Sequence, residues 1–401
     1  MVEWKEVKLS DVAEIVGGAT PSTKDDENYT GGNIAWITPK DLSNFTGRYI
    51  SEGERCITEK GYNSCSTQML PKHSVLFSSR APIGYVAISD KELCTNQGFK
   101  SAIPGPNIDY LFLYYLLKFK KDAIENMGSG TTFKEVSGNV MKNVLIEIPV
   151  DIDIQKKIAC ILDKIDSKIE NNNSINRNLQ EQMQTIFSSI FYPEIEKGNK
   201  VSHGDYLYIK GRIGWKGLKK EEYLDDSEYR IINGESLTTT GIDWKKAGYI
   251  SEERYTESPE IMLQVGDILI SKDGTIGKIG YVDKLEKPTS VASGLFVVRN
   301  LKPEEVSTVF IYCLLNSDYF RKFIASRTEG SVIPHLYQKD FVTLEVPLLS
   351  GKQLEYFNNS VVPLFDLYFA NQTENLRLVE LRDALLPKLM SGELDVSDLD
   401  I

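Results

Sequence analysis

The chain is poor in the residues that build metal and disulfide chemistry. Only three histidines occur (His73, His203, His335), none near another in sequence, so no zinc-ligand spacing is present. Five cysteines (Cys56, Cys65, Cys94, Cys160, Cys313) form no C-x-x-C pair, and their odd number points to reduced thiols rather than a disulfide framework. No apolar run approaches the ~20 residues needed to cross a bilayer. The best candidate, Tyr110 to Leu117, runs directly into Lys118, Lys120 and Lys121. Residues 1–6 carry neither a basic nor an apolar segment, so the expectation is a soluble, cytoplasmic protein with no export signal and no membrane partner. A G-x-x-x-x-G-K-[ST] loop to cradle a nucleotide is missing as well.

What is present is ordinary globular composition. The 401 residues are 41% hydrophobic and 26% charged, enough for two or three domains with full-sized cores. The net charge of -11 argues against a uniformly basic surface. The charges are unevenly placed, however. Glu393, Asp395, Asp398 and Asp400 crowd the last nine residues, whereas Lys210, Arg212, Lys216, Lys219 and Lys220 form a stretch without an acid. Phosphate contacts depend on where cations sit rather than on their sum, so nucleic acid stays open as a partner.

The most informative feature is an internal repeat with an offset of about 200 residues. Tyr49-Ile50-Ser51-Glu52 recurs as Tyr249-Ile250-Ser251-Glu252, and Phe112 to Leu117 recurs as Phe310 to Leu315. Gly130 matches Gly330, Ile148-Pro149 matches Val346-Pro347, Gln155 matches Gln353, Asp166 matches Asp366 and Asn171 matches Asn371. Each half opens with short strand-like runs broken by turn residues, as in Ser74 to Ile88 and Asp267 to Val282. A helical stretch, a glycine loop and a strand ending in proline follow, and a long helical pattern closes the half.

Those closing patterns have heptad spacing. Ile158, Leu162, Ile165, Ile169, Asn172, Asn176, Leu179, Met183, Ile186 and Ile190 advance in steps of four and three. Phe357, Val361, Leu364, Tyr368, Asn371, Asn375, Leu378, Arg382, Leu385 and Leu389 do the same. Two asparagines interrupt each seam at equivalent places, Asn172 and Asn176 in the first and Asn371 and Asn375 in the second, as expected of helices that pair with each other in one register. Neither glycine nor proline interrupts Gln155 to Phe191, which predicts a helix about 55 Å long at 1.5 Å per residue.

The predicted architecture is α/β (α+β) with a pseudo-two-fold internal repeat. Two similar globular domains, 1–150 and 196–348, are separated by long helices, 151–195 and 349–401, that form an antiparallel coiled coil; the last segment includes the acidic tail. A rigid spacer with a binding domain at each end suits a two-part target, as dimer symmetry sets half-site spacing on duplex DNA.

Particular residues carry a family resemblance. Trp4-Lys5-x-Val7-x-Leu9-x-Asp11-Val12 leads into Gly17-Gly18-Ala19-Thr20-Pro21-Ser22, then Ile34 to Leu42 (IAWITPKDL) and Thr95-Asn96-Gln97-Gly98-Phe99. Gly130 to Val136 (GTTFKEV), Gln155 to Asp166 and Leu385 to Leu394 (LLPKLMSGEL) complete the series. Together, over essentially the whole chain, they resemble the DNA-specificity subunit of type I restriction-modification systems. The resemblance implies two target-recognition domains, each reading half of a bipartite double-stranded DNA sequence, with the helices acting as a ruler and docking methyltransferase subunits, expected to number two. It implies no cofactor in this chain: S-adenosylmethionine would belong to the methyltransferase, and ATP and Mg to motor-nuclease subunits. The second half departs from the pattern, with Gly211-Arg212-Ile213-Gly214-Trp215 and Val291-Ala292-Ser293-Gly294-Leu295 in place of the two glycine motifs.

Catalytic signatures are lacking. Without a Pro-Pro dipeptide there is no Asn/Asp-Pro-Pro-aromatic motif of an adenine methyltransferase. Acid-x-Lys patterns such as Glu3-Trp4-Lys5, or Asp267 with Lys272, are too common among charged residues to indicate a nuclease. The competing class is a coiled-coil scaffold whose terminal domains bind proteins.

Base edges are read by Arg, Lys, Asn, Gln, Ser and Thr, while Lys and Arg on loops neutralise phosphates. The candidates in the first half are therefore Thr20, Ser22, Lys24, Lys40, Ser79, Arg80, Thr131, Thr132 and Lys134. In the second half they are Lys216, Lys219, Lys220, Ser271, Lys272, Lys278, Arg327, Ser331 and His335. Trp36 is read as domain core.

Overall fold

The computed structural model describes residues 2–43, 45–80, 82–130, 134–197, 200–202, 206–213, 217–328, 335–341, 344–347 and 349–400. The chain forms two compact units, Met1–Asn172 with Glu374–Ile401, and Asn173–Thr373. Each unit combines a mixed sheet-and-helix globular part with one stretch of each long helix.

In the first unit, Trp4–Lys8 pairs antiparallel with Leu145–Pro149, placing Lys5 opposite Ile148. The main sheet has the order Ala13–Gly17, Lys100–Pro104, Val75–Phe77, Val86–Ser89, Tyr49–Ile50. Val75, Leu76 and Phe77 are all buried, yet strand alternation sends them to different cores. Val75 and Phe77 pack with Phe112 and Leu116 of the helix Tyr110–Phe119, whereas Leu76 packs with Ile37, Ala87 and Phe99. A sheet covered on both faces explains the unbroken apolar runs that sequence periodicity reads poorly. Asp109 caps the helix, its carboxylate accepting from the backbone N–H of Leu111 (3.0 Å) and Phe112 (2.9 Å).

The second unit repeats this plan. Its sheet runs Leu207–Gly211, Leu295–Asn300, Ile268–Ser271, Ile279–Tyr281. Again Ile268 and Ile270 face the helix Thr308–Leu315 while Leu269 joins a second core with Val297. One identical tetrapeptide behaves differently in the two units. Tyr49 pairs in parallel with Ile88, but Tyr249 pairs antiparallel with Arg230, in the place that Arg55–Ile57 takes beside Ile34–Ile37. Strand pairing is set by neighbours rather than by four residues of sequence.

The long helices are Ile152–Lys197 (46 residues) and Gly351–Met390 (40 residues). The first continues through Pro193, close to its end, where the missing N–H removes a single ladder bond. Every seam position of both heptads is buried or half-buried. In the first unit the Asn172 side-chain amide donates to Asn375 Oδ1 (2.9 Å) and Glu374 Oε2 (2.7 Å). In the second, the Asn371 amide donates to Asn176 Oδ1 (2.9 Å), and Asn176 donates to the Tyr368 carbonyl (3.2 Å). Residue numbers rise on one helix as they fall on the other, so the pairing within each unit is antiparallel.

The seam also corrects two expected matches. Asn171 and Asp366 are exposed, while Asn172 and Asn371 are buried. The structural counterpart of Asn371 is therefore Asn172, and Asp166 corresponds to Phe365. Heptad position, rather than residue identity, decides equivalence on a paired helix.

Candidate nucleic-acid interface

Four segments of the first unit meet at one set of loops. After the strand Ala13–Gly17, the chain lies against Thr95 so closely that Gly18 is required: a Cβ there would stand 2.1 Å from the Thr95 carbonyl oxygen and 2.3 Å from that of Asn96. The approach is held by the Ala19 N–H on Thr95 O (3.1 Å) and the Trp36 indole N–H on Ala19 O (3.1 Å), and the Thr20 hydroxyl donates to Gln97 Oε1. Trp36 is 5% exposed, which leaves it in the core.

The hairpin Ser78 to Tyr85 joins this cluster. Its tip is braced by the Ser78 hydroxyl, which donates to the Pro82 carbonyl (2.8 Å) and accepts from the Tyr85 N–H (2.8 Å). The Ser79 N–H donates to Gly98 O (2.7 Å), and Ser79 O accepts from the Val136 N–H (2.9 Å), so the glycine loop is stitched to the hairpin. Across that stitch Arg80 Nε lies 3.0 Å from Glu135 Oε2, and Lys100 Nζ lies 3.7 Å from Glu135 Oε1. Burial holds the Lys100 ammonium below its usual pKa, and the Glu135 carboxylate opposes that shift.

The second unit rebuilds the same scaffold with other side chains. The Ser271 hydroxyl donates to Thr275 O (2.6 Å) and accepts from Lys278 N–H (2.8 Å). The Lys272 N–H donates to Gly294 O (2.9 Å), and Lys272 O accepts from Leu336 N–H (3.1 Å). Arg212 follows the strand Leu207–Gly211 as Gly18 follows Ala13–Gly17. In place of close backbone approach, its guanidinium, 2% exposed, donates to Val291 O (3.2 Å) and Ser290 Oγ (3.4 Å). Burial lowers the pKa of that guanidinium. A buried arginine thus replaces the glycine contact as the tie between loop and strand.

The expected residues divide into five groups. Lys24, Lys134, Lys219 and Lys220 are exposed on loops or a single 3₁₀ turn. Arg80, Thr20, Lys272 and His335 lie in the braced clusters just described; Lys272 also sits over the Phe296 ring at 5.1 Å, and His335 Nδ1 pairs with Asp273 Oδ1. Lys40, Ser22, Lys278 and Arg327 have structural neighbours: Glu54 (2.7 Å), the Lys24 N–H (3.4 Å), Gly234 O (3.3 Å) and the Phe323 ring (5.3 Å) respectively. Ser79 and Ser271 are corrections, because both are buried, and their hydroxyls bond to Gly98 O (3.2 Å) and Thr275 O (2.6 Å). They hold the hairpins in shape. Thr131, Thr132, Lys216 and Ser331 lie outside the described residues.

Sequence reasoning passed over Gln97, Lys100, Glu135, Arg212 and Asp273. The residue types taken as readers of base edges and phosphates include no acid. The place of Glu135 on the glycine loop carried no signal without the hairpin it touches.

Asp267, 1% exposed, is clamped by Arg299, whose Nε and Nη2 each donate to its carboxylate at 2.7 Å. All five cysteines are free, and burial pushes the Cys94 thiol up to about 11 and that of Cys313 up to about 12, away from thiolate reactivity. Among the described residues no His/Cys/Asp/Glu group could hold a metal ion, and no helix is long and apolar enough to cross a membrane.

Comparison with known proteins adds the following. A family model described as type I restriction modification DNA specificity domain matches residues 1–181 and again 204–350. The chain is 34% identical to the type I restriction enzyme MjaIX specificity subunit of Methanocaldococcus jannaschii, over 99% of this chain and 95% of that protein. It is 19% identical to the MjaVIII specificity subunit of the same organism, over 99% and 94%. Among solved structures, the crystal structure of a type I restriction-modification S subunit from M. genitalium is similar with a TM-score of 0.62 at 21% identity, covering 97% of this chain and 96% of that one.

Proposed function

The chain belongs to the type I restriction-modification DNA-specificity family, and from that membership we propose that each of its units reads one half of a bipartite sequence in double-stranded DNA. As a specificity component it is not itself an enzyme. Its partners are DNA, a pair of methyltransferase subunits that dock on the long helices and carry S-adenosylmethionine, and motor-nuclease subunits that use ATP and Mg. The complex works in the cytoplasm. The observation that supports this reading best is the duplicated loop scaffold, built with the same hydrogen bonds but different outward side chains in the two units. A repeated frame with divergent contacts is what two different half-sites require.

Genome-wide adenine methylation, measured in the native host with and without this gene, tests the proposal. The expected result is loss of a single bipartite methylated motif on deletion. An unchanged methylome with the neighbouring methyltransferase expressed would favour the scaffold alternative.

Phosphate contacts have a separate signature. In the complex reconstituted with its methyltransferase, Lys219→Ala with Lys220→Ala should weaken binding to all DNA sequences alike. The slope of log affinity against log salt should fall by about 1.8, since each phosphate contact contributes about 0.9. A sequence-dependent loss would instead place these lysines on bases.

A further inference from the structure

We propose that in each unit the residue at the hairpin tip and its partner on the glycine loop form one specificity element, with a cation at the tip in the first unit and a carboxylate at the tip in the second. The inference rests on the reading that these loops face DNA. The bonds above make Ser78 equivalent to Ser271, Ser79 to Lys272 and Val136 to Leu336. By the same register Arg80 corresponds to Asp273 and Glu135 to His335. The first unit therefore carries a cation on the tip and a carboxylate on the glycine loop. The second carries a carboxylate on the tip and an imidazole on the glycine loop.

The exposed ends of these pairs decide what each can recognise. Glu135 engages Arg80 through Nε, and no described residue hydrogen-bonds the terminal guanidinium nitrogens, while the side chain stays 48% exposed. Two parallel N–H donors fit the O6 and N7 acceptors of guanine. At Asp273, 47% exposed, Oδ1 is held by His335 Nδ1, and no described residue donates to Oδ2. A fixed, outward carboxylate oxygen accepts from an amino group, so it reads cytosine N4 or adenine N6 and repels the acceptor edge of guanine. Arg80 and Asp273 are the specificity-determining groups, and Glu135 and His335 are positioning residues that fix their rotamers.

The test uses the full chain with its partners in the native host. The methylated motif is determined for the unaltered protein, for Arg80→Gln and for Asp273→Asn, and the melting temperature of each purified chain is recorded. Asp273→Asn is isosteric and removes only the charge, whereas Arg80→Gln ends two bonds short of the guanidinium nitrogens and so removes the paired N–H donors that define the readout. The expected result is that each variant loses preference at one base, in different halves of the motif, by about 5- to 150-fold. Melting temperatures should stay within about 2 °C of the unaltered chain, as for surface changes. Unchanged motifs, relaxation in the same half, uniform loss of methylation, or a larger fall in melting temperature would each overturn the proposal. Absence of any bipartite motif for the unaltered protein would instead overturn the specificity reading on which it rests.

Discussion

Replacing Asp166 by alanine should destabilise the helix pairing in the first unit by about 3 kcal/mol. The Asp166 side chain is 7% exposed and accepts from the Tyr115 hydroxyl (2.9 Å) and from Arg382 Nη1 (2.9 Å). Its removal strands the buried Tyr115 hydroxyl and leaves Arg382, on the facing helix, with Asp383 alone as its carboxylate partner. It also deprives Lys118 of a nearby countercharge, at an ammonium whose pKa burial already lowers. The estimate lies at the low end of the range for breaking a buried pair, because Arg382 is 21% exposed and can turn toward water. The expected readout is lost hydrogen-exchange protection in residues 110–119 and 152–172. The second unit shows that the charge itself is dispensable. There the heptad counterparts of Asp166 and Arg382 are Phe365 and Met183, both buried and part of one apolar core. Combining Asp166→Phe, Arg382→Met and Tyr115→Phe should therefore recover at least half of the protection. A triple variant as weak as Asp166→Ala would mean that the ionic network is required for this unit to fold.

The second large effect is expected at Gly18. A methyl group there meets only backbone atoms, the carbonyl oxygens of Thr95 and Asn96, which cannot swing aside as a side chain would. Gly18→Ala must push the Gly17–Lys24 loop off the Thr95–Phe99 segment. It breaks the Ala19 to Thr95 hydrogen bond and the Trp36 anchor, at a cost of about 3 kcal/mol, the upper part of the overpacking range. The methylated motif should then lose one half while the other half persists, because the second unit makes the corresponding tie through Arg212. Gly17→Ala is the matched control: a Cβ at Gly17 meets nothing within 4 Å and should change stability by no more than about 0.5 kcal/mol. Equal behaviour of the two variants would show that the loop relaxes freely and does not need its close approach.

The two glycines also mark how far the sequence could be read. Gly17-Gly18 stands out as a turn signal, but nothing in the letters separates the replaceable residue from the required one. That distinction comes from Thr95, far along the chain. Likewise Ser79 and Ser271 look like ligand-facing hydroxyls on a hairpin, and the fold turns both inward, where they donate to the carbonyls of Gly98 and Thr275. Glu135 and Asp273 escaped notice for the converse reason, since a carboxylate gains meaning only from the cation or imidazole placed opposite it.

By itself the sequence determined the duplication, the heptad seams with their paired asparagines, and the family motifs. These are periodic or local patterns, and the chain must carry them in order because helix geometry and turn chemistry act on neighbours a few residues apart. Tertiary structure alone decided which match was the equivalent one, Asn172 rather than Asn171 with Asn371, and which sheet took Tyr249. It alone brought Arg80 to Glu135 and Asp273 to His335. Those contacts join segments tens of residues apart, and their partners are chosen by packing and hydrogen-bond satisfaction across the whole unit rather than by any local preference.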